Sequence, residues 1–372
     1  MIDALPRRRF LFGSLAVAAG AVGGAAVLAA CGGGGPSGDA LQVSNWTGYI
    51  DPRGIRRFER RTGIDVVYSE DINDNNEWFA KNQSTLAQHR WIGRDSVVLD
   101  DWIANRIINR LHWAEPLDPA HLSHRANLLP ELAHPAHDPQ RRFSLPWQAG
   151  LTGIAYNRSV TGRDIGTVDD FLAIDGHKAV LSEMRDTVGL MMRASGADVT
   201  QPSAASAEPA FATLERAVLD GTIDAFTGND YVNDLATGNL AAAFAWSGDV
   251  AQITRDNPDV RFVVPESGGL IWSDNYLIPK GAHHPAQATT WIDYFYEPAH
   301  AARLTAYVQY ISPVQGVADE LTKLGGAAAR LVDDPLVVPT PEFLAPVATF
   351  GILTDADADA MDERFSKLAG AA

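Results

Sequence analysis

The chain has 372 residues, with 30 lysines and arginines against 46 aspartates and glutamates, a formal net charge of -16 and a single cysteine. One cysteine excludes an intrachain disulfide and any cysteine-rich zinc or iron–sulfur site. So acidic a chain is poorly suited to nucleic acid, whose phosphates need clustered Lys and Arg, and better suited to cationic ligands.

Residues 1–30 read as an export signal. Arg7-Arg8-Arg9 precedes an uncharged run from Phe10 rich in Ala, Gly, Val and Leu, which ends in Leu28-Ala29-Ala30-Cys31. A basic start, an apolar middle and small residues before the cut define a secretory signal. The segment resembles a bacterial lipoprotein signal, in which Cys31 would carry the lipid. Arg7-Arg8-Arg9-Phe10-Leu11 also resembles a twin-arginine signal, although Phe12 replaces the usual basic residue. An uncleaved membrane anchor is the alternative, since about 20 apolar residues span a bilayer. Without residues 1–30 the chain loses three Arg and one Asp and has 27 basic against 45 acidic residues, or -18. The acidity therefore belongs to the exported part. Residues 31–40, containing GGGGPSGD, read as a flexible tether.

From Leu41 onward short β-branched runs alternate with amphipathic segments. Strands are expected at 41–46, 64–68, 96–99, 178–181, 240–246, 260–265 and 270–279, and helices at 52–62, 75–88, 101–111, 185–195, 208–219, 248–255 and 284–296. Such alternation predicts an α/β fold with a largely parallel sheet, and about 340 residues of it exceed one ordinary core, so two lobes are expected.

Ligands of open α/β sheets bind outside the carboxyl ends of the strands. Five of the nine tryptophans fall there: Trp46, Trp102, Trp147, Trp246 and Trp272. Asp100 and Asp101 precede Trp102, Asp249 follows Trp246 by three, and Asp274 follows Trp272 by two. A two-residue step on a strand points both side chains to one face, so Trp272 and Asp274 can address the same space. Carboxylates accept charge-assisted hydrogen bonds from an ammonium, and ring faces add cation–π attraction of about 0.5–2 kcal/mol. The combination suits a flexible aliphatic cation. Core packing is the competing role for each tryptophan. For Asp100 or Asp101 it is helix capping, and for Asp186 and Asp249 a place in a helix first turn.

These residues lie in a pattern that resembles the spermidine/putrescine-binding proteins of bacterial ABC importers, in their lipoprotein form. The resemblance is carried by Asn45-Trp46-Thr47-Gly48-Tyr49-Ile50, Phe58-Glu59-Arg60-Arg61-Thr62-Gly63-Ile64, Leu145-Pro146-Trp147, Gly153-Ile154-Ala155-Tyr156-Asn157, Met184-Arg185-Asp186-Thr187-Val188-Gly189, Trp246-Ser247-Gly248-Asp249 and the stretch 265–279. It implies a type II periplasmic-binding-protein fold of two lobes, each a mixed, mostly parallel sheet flanked by helices, joined by crossover hinge strands. Residues 41–145 with 273–319 would form one lobe and 146–272 with 320–372 the other. It further implies a cleft lined by Trp46, Thr47 and Tyr49, by Asp100 and Trp102, by Glu183 and Asp186, and by Trp246, Asp249, Trp272, Asp274 and Tyr310. Asp274 would hold an ammonium.

The pattern also departs from the family. Gly48 stands where relatives usually carry Asp or Glu, and Asp100 where they carry serine; the expected glutamine segment is absent near Phe350-Gly351. The implied protein is a monomeric, non-enzymatic receptor without cofactor or metal, tethered through Cys31 on the outer side of the cytoplasmic membrane and serving an ABC permease. Alternatives are the same fold with another amine or an amino-acid derivative, and a secreted hydrolase using a carboxylate pair. Against the last, G-x-S-x-G, H-E-x-x-H and P-loop motifs are missing. The histidine pairs His134/His137 and His283/His284 read as surface residues, and Asp355, Asp357 and Asp359 as an acidic helix start in place of a calcium loop.

Overall fold

The computed structural model describes residues 39–371; the signal, Cys31 and tether positions 31–38 lie outside them. The strands are β1 (Leu41–Trp46), β2 (Val66–Ile72), β3 (Ser96–Asp100), β4 (Ala114–Glu115), β5 (Ser144–Asn157), β6 (Lys178–Leu181), β7 (Ala225–Thr227), β8 (Ala242–Trp246), β9 (Val260–Val263) and β10 (Leu270–Pro279). They run in the order β2-β1-β3-β10-β5-β8-β6-β7, with β4 beside β10 and β9 beside β5.

Two parallel blocks make up this sheet. β1 is parallel to β2 and to β3, and β6 is parallel to β7 and to β8. Between them β5 and β10 form an antiparallel ribbon. One stretch of β10, Asp274 to Leu277, pairs with β3, while the far end of β5, Thr152 to Tyr156, pairs with β8. β10 therefore extends the first block and β5 the second, and the pairing of these two strands joins the blocks. This is the mixed α/β arrangement with crossover strands expected from the sequence.

All seven expected strands are present, and 41–46, 178–181 and 270–279 keep their expected bounds. β5 was not expected, because Pro146, Gly150 and Gly153 interrupt its pattern, although all 14 of its residues are buried. The register slips between Asp274 and Asn275, opposite Gln148 and Pro146, so that Trp147 is the extra residue of a bulge. The expected helix 101–111 is two pieces, an α-helix Asp101–Asn105 and a π-helical turn Arg106–Leu111 ended by His112 in the left-handed region.

The strand-to-helix junctions matter most for function. β3 ends at Asp100, which is the N-cap of the next helix. β6 is followed by Glu183, the N-cap residue of Met184–Ala194, and β8 ends at Trp246, the N-cap residue of Ser247–Thr254. Each junction delivers side chains to the carboxyl end of a parallel strand, where no neighbouring strand covers them. Asp186 and Asp249 occupy the first turns of their helices, where the dipole favours an anion. Thr354 likewise caps Asp355–Ala369, with Asp357 accepting its hydroxyl at 2.6 Å, so the acidic run there is a helix start. No helix among the described residues is long and apolar enough to cross a membrane.

Candidate functional site: an aromatic and acidic cage between the two blocks

Eleven of the twelve expected residues line one pocket, whose empty space measured to its open mouth is about 410 Å³: all but Trp102. Trp46, Thr47 and Tyr49 come from the end of β1 and the turn beyond it, Asp100 from β3, and Trp272 and Asp274 from β10. The second block contributes Glu183, Asp186, Trp246 and Asp249, and Tyr310 follows the helix Pro298–Val308. Asn75 and Asn229 complete the lining; sequence reasoning missed both. Asn75 opens the helix after β2, the same strand-end position that identified the others. Asn229 follows β7, a three-residue strand too short to read from its pattern.

Trp102 is a correction. It lies in the first turn of its helix, its ring packs under the Arg185 guanidinium at 4.0 Å, and it faces neighbouring space. One residue along a helix is a turn of about 100°, so a side chain two positions past Asp100 points away from the cage.

The aromatic walls are locked. Trp46 meets Trp246 edge to face at 5.7 Å, Trp246 meets Trp272 at 6.3 Å, and Tyr49 meets Tyr310 at 4.9 Å. Trp46 Nε1 donates to the Val98 carbonyl and Trp272 Nε1 to the Thr152 hydroxyl, each at 3.0 Å. Edge-to-face pairs contribute about 0.5–1.5 kcal/mol beyond area burial. With their N–H edges satisfied elsewhere, the rings turn apolar faces to the cavity.

The carboxylates differ in what already holds them. Asp249 accepts from Asn229 Nδ2 at 2.7 Å and from the Tyr231 and Tyr310 hydroxyls at 2.8 Å each. Glu183 Oε1 accepts both the backbone N–H and the side-chain amide of Asn75 at 2.8 Å, which ties the second block to the first. Asp186 accepts from the Thr152 hydroxyl, and Asp100 from the Asp101 backbone at 2.6 Å; the capping role and the cavity role of Asp100 coincide. Asp274 is the least committed. Beside it is the Tyr49 hydroxyl, which tends to lower its pKa but is buried without a hydrogen bond of accepted geometry.

Burial dominates their titration. It pushes Asp186 and Asp249 up to about 6 against their hydroxyl and amide donors, and Asp274 up to about 8, with Asp101, Asp186 and Asp249 adding repulsion. Asp100 and Glu183 are also raised well above the carboxylate range, by burial first and then by neighbouring acids. Five carboxylates around one cavity, four of them buried and Asp100 partly so, cannot all ionise without a countercharge. Lys and Arg are absent from the lining.

Gly48 lies beside the cage in the left-handed region, with φ 71°, a conformation that disfavours a carboxylate-bearing residue there. The histidines need one correction. His137 is buried, its pKa lowered by desolvation, and His284 bonds the buried Asp95 at 3.1 Å. Among the described residues no group of three or more His, Cys, Asp or Glu could hold a metal ion.

Two parallel blocks on a shared antiparallel ribbon, closed over a buried cage, define an α/β solute-binding protein. A family model described as bacterial extracellular solute-binding protein matches residues 55–335, and the chain belongs to that family. It is 27% identical over 337 residues to the putrescine-binding periplasmic protein PotF of Escherichia coli, covering 84% of this chain and 86% of PotF. To the putrescine-binding periplasmic protein SpuD of Pseudomonas aeruginosa it is 26% identical over 351 residues, covering 88% and 91%. Among solved structures, the spermidine/putrescine ABC transporter substrate-binding protein PotD of Streptococcus pneumoniae superposes with a TM-score of 0.70 at 22% identity, covering 90% of this chain and 99% of that one.

Proposed function

We propose that the protein is an extracytoplasmic receptor that captures a polyamine and delivers it to an ABC permease. One observation carries the reading: five carboxylates, four of them buried and Asp100 partly so, and three tryptophans converge on a cavity whose lining includes no basic side chain. An aliphatic diamine supplies the missing charge at its ends and a methylene stem for the rings between. Asp274 would take one ammonium, because its oxygens are the least committed; the carboxylates of the second block would face the other. The similarity to putrescine-binding PotF and SpuD supports this ligand class.

In this mechanism no covalent bond changes. The lobes, assigned to 41–145 with 273–319 and to 146–272 with 320–372, would open about the β5–β10 ribbon and close when the ligand joins them, a hinge equilibrium biased by occupancy. Arg364 supports the assignment of the C-terminal helix, because it pairs with Glu208 and Glu215 at 2.6 and 2.7 Å. The protein would work as a monomer, held at the outer face of the cytoplasmic membrane by a lipid on Cys31; release of a Cys31→Ser variant into the soluble fraction would support the anchor.

Intrinsic fluorescence tests the ligand. Putrescine, cadaverine, spermidine and agmatine are titrated into the purified protein, and at least one should saturably change the tryptophan emission, since Trp46, Trp246 and Trp272 form the walls. An unchanged spectrum with all four, with the protein folded, overturns the polyamine assignment. Turnover of a sugar or ester panel would point to the hydrolase alternative.

A further inference from the structure

The carboxyl ends of β1 and β3 carry the cage; their amino ends carry a different corner of the molecule. Leu41 opens β1 ten positions after Cys31, and Gln42 beside it is tied to the start of β3. Asp95 donates its N–H to the Gln42 carbonyl at 2.8 Å and accepts the Gln42 N–H on its carboxylate at 2.9 Å. The same buried carboxylate accepts the backbone N–H groups of His283 and His284 at 2.8 and 3.0 Å. The turn after β10 is thereby fastened to the point where the chain enters the body.

That turn supports a loop. Gly281 has φ 84°, and a Cβ on it would stand 2.8 Å from the His89 carbonyl oxygen and 2.9 Å from backbone atoms of Arg90 and Trp91, so the two backbones are in direct contact. The Trp91 ring stacks on the His283 ring with centroids 4.0 Å apart. Of the nine tryptophans, all within the described residues, Trp91 alone is exposed, at 39%. His89, Arg90 and His283 are exposed as well. Arg94 pairs with Asp71 at 2.6 Å and Lys280 with Glu115 at 3.0 Å, whereas the Arg90 guanidinium makes a 3.4 Å contact with the Gln88 amide oxygen and no ion pair among the described residues. Asp39 and Asp65 are exposed at this end too, so an aromatic ring and an uncommitted guanidinium, not net charge, set the corner apart.

A lone surface hydrophobe needs no explanation. Trp91 differs because it is held by a stacked neighbour, has a free cation next to it and lies where the tether joins the body. Ten residues span at most about 35 Å, so a lipid on Cys31 would keep this corner near the headgroups, where a contact too weak to act alone is populated by the high local concentration. A tryptophan ring, apolar with one N–H, suits the bilayer interface, and a guanidinium suits a lipid phosphate. We propose that this corner is a second membrane contact, in which Trp91 enters the interface of an anionic phospholipid leaflet and Arg90 meets its phosphates. The proposal rests on the reading of Cys31 as lipidated. It leaves the cage at the far end of the same strands, turned from the lipid towards solvent.

Brominated lipid tests the contact. The full chain, expressed in a bacterium and extracted from its membranes, is reconstituted into phosphatidylglycerol-containing vesicles whose phosphatidylcholine chains are either brominated or plain. Bromine should quench part of the tryptophan emission, and Trp91→Phe, which keeps a ring on His283, should lose that quenching. Arg90→Glu should reduce it at least twofold. If Trp91→Phe does not fold, acrylamide supplies the check on the unaltered protein: plain vesicles should protect the exposed tryptophan from it. Protein that floats with the vesicles without bromine quenching overturns the proposal and leaves the lipid anchor standing, as does quenching that persists in Trp91→Phe. Full quenching in Arg90→Glu overturns the phosphate contact. Protein that does not float at all removes the anchor, and the second contact with it.

Discussion

At the scale of single residues, Asp274 separates a binding site from a buried acidic cluster. Its carboxyl is pushed up to about 8, chiefly by burial, so at neutral pH the empty protein holds it largely protonated. An entering ammonium favours the ionised form. Binding must then release protons. Diamine affinity should rise as pH climbs from about 6 towards 8, by at most about tenfold per unit for each proton released, and the observed heat should vary with the ionisation enthalpy of the buffer. Heat independent of buffer, with a flat affinity over that range, would contradict a protonated Asp274 in the empty cage. Stability follows the opposite sign. The folded pKa lies above the ordinary value of 3.8, so the ligand-free protein should lose stability as pH rises between about 4 and 8, and saturating ligand should recover it. Asp274→Asn should weaken binding more than tenfold in calorimetry, because an ammonium loses a charge-assisted partner; unchanged affinity would make Asp274 a structural residue. Much at this scale was legible in the sequence. Trp272 and Asp274 could be placed together because strand side chains alternate, whereas Trp102 was misassigned because its short helix turns the side chain away.

At the scale of elements, the cage depends on the β5–β10 ribbon as much as on the junction loops. Trp272 lies against Gly150 so closely that a Cβ there would stand 2.5 Å from the indole ring, well inside van der Waals contact. Gly150→Ala should therefore displace Trp272 and lower diamine affinity by about tenfold, the equivalent of roughly 1.4 kcal/mol, while the protein remains folded by circular dichroism. Unchanged affinity would mean that the ring is not a wall of the bound site. β5 was hidden in the sequence for the same reason. Pro146 sits at a bulge and Gly150 leaves room for a ring, so the strand carries the residues that ordinarily end one. Among the parallel strands, β1, β2 and β3 were legible as short apolar runs each leading to a helix capped by an aspartate, and β6 and β8 as apolar runs leading to helices; β7, with three residues, offered too little pattern.

At the scale of the whole molecule, direct polar contacts hold the two blocks together at the edge of the cage. Besides the two bonds from Asn75 to Glu183, the Ser182 hydroxyl donates to Asp74 at 2.5 Å and the Asn229 backbone donates to Asn73 at 3.1 Å. Glu183 thus also clasps the two blocks, a contact invisible in the sequence because its partner lies 108 positions away. Asn75→Ala should open the ligand-free protein, seen as a larger radius of gyration in X-ray scattering, and lower affinity several-fold, as expected for the loss of about 1 kcal/mol per hydrogen bond. The same radius and the same affinity would argue against the clasp. Every scale meets in one measurement, a calorimetric titration of the purified protein with putrescine and spermidine. We expect saturable one-site binding with a dissociation constant of about 1 μM or tighter, near −8 kcal/mol, abolished or weakened more than tenfold by Asp274→Asn. Absence of heat with both amines across buffers and temperatures, in a protein that melts cooperatively, would contradict the polyamine cage.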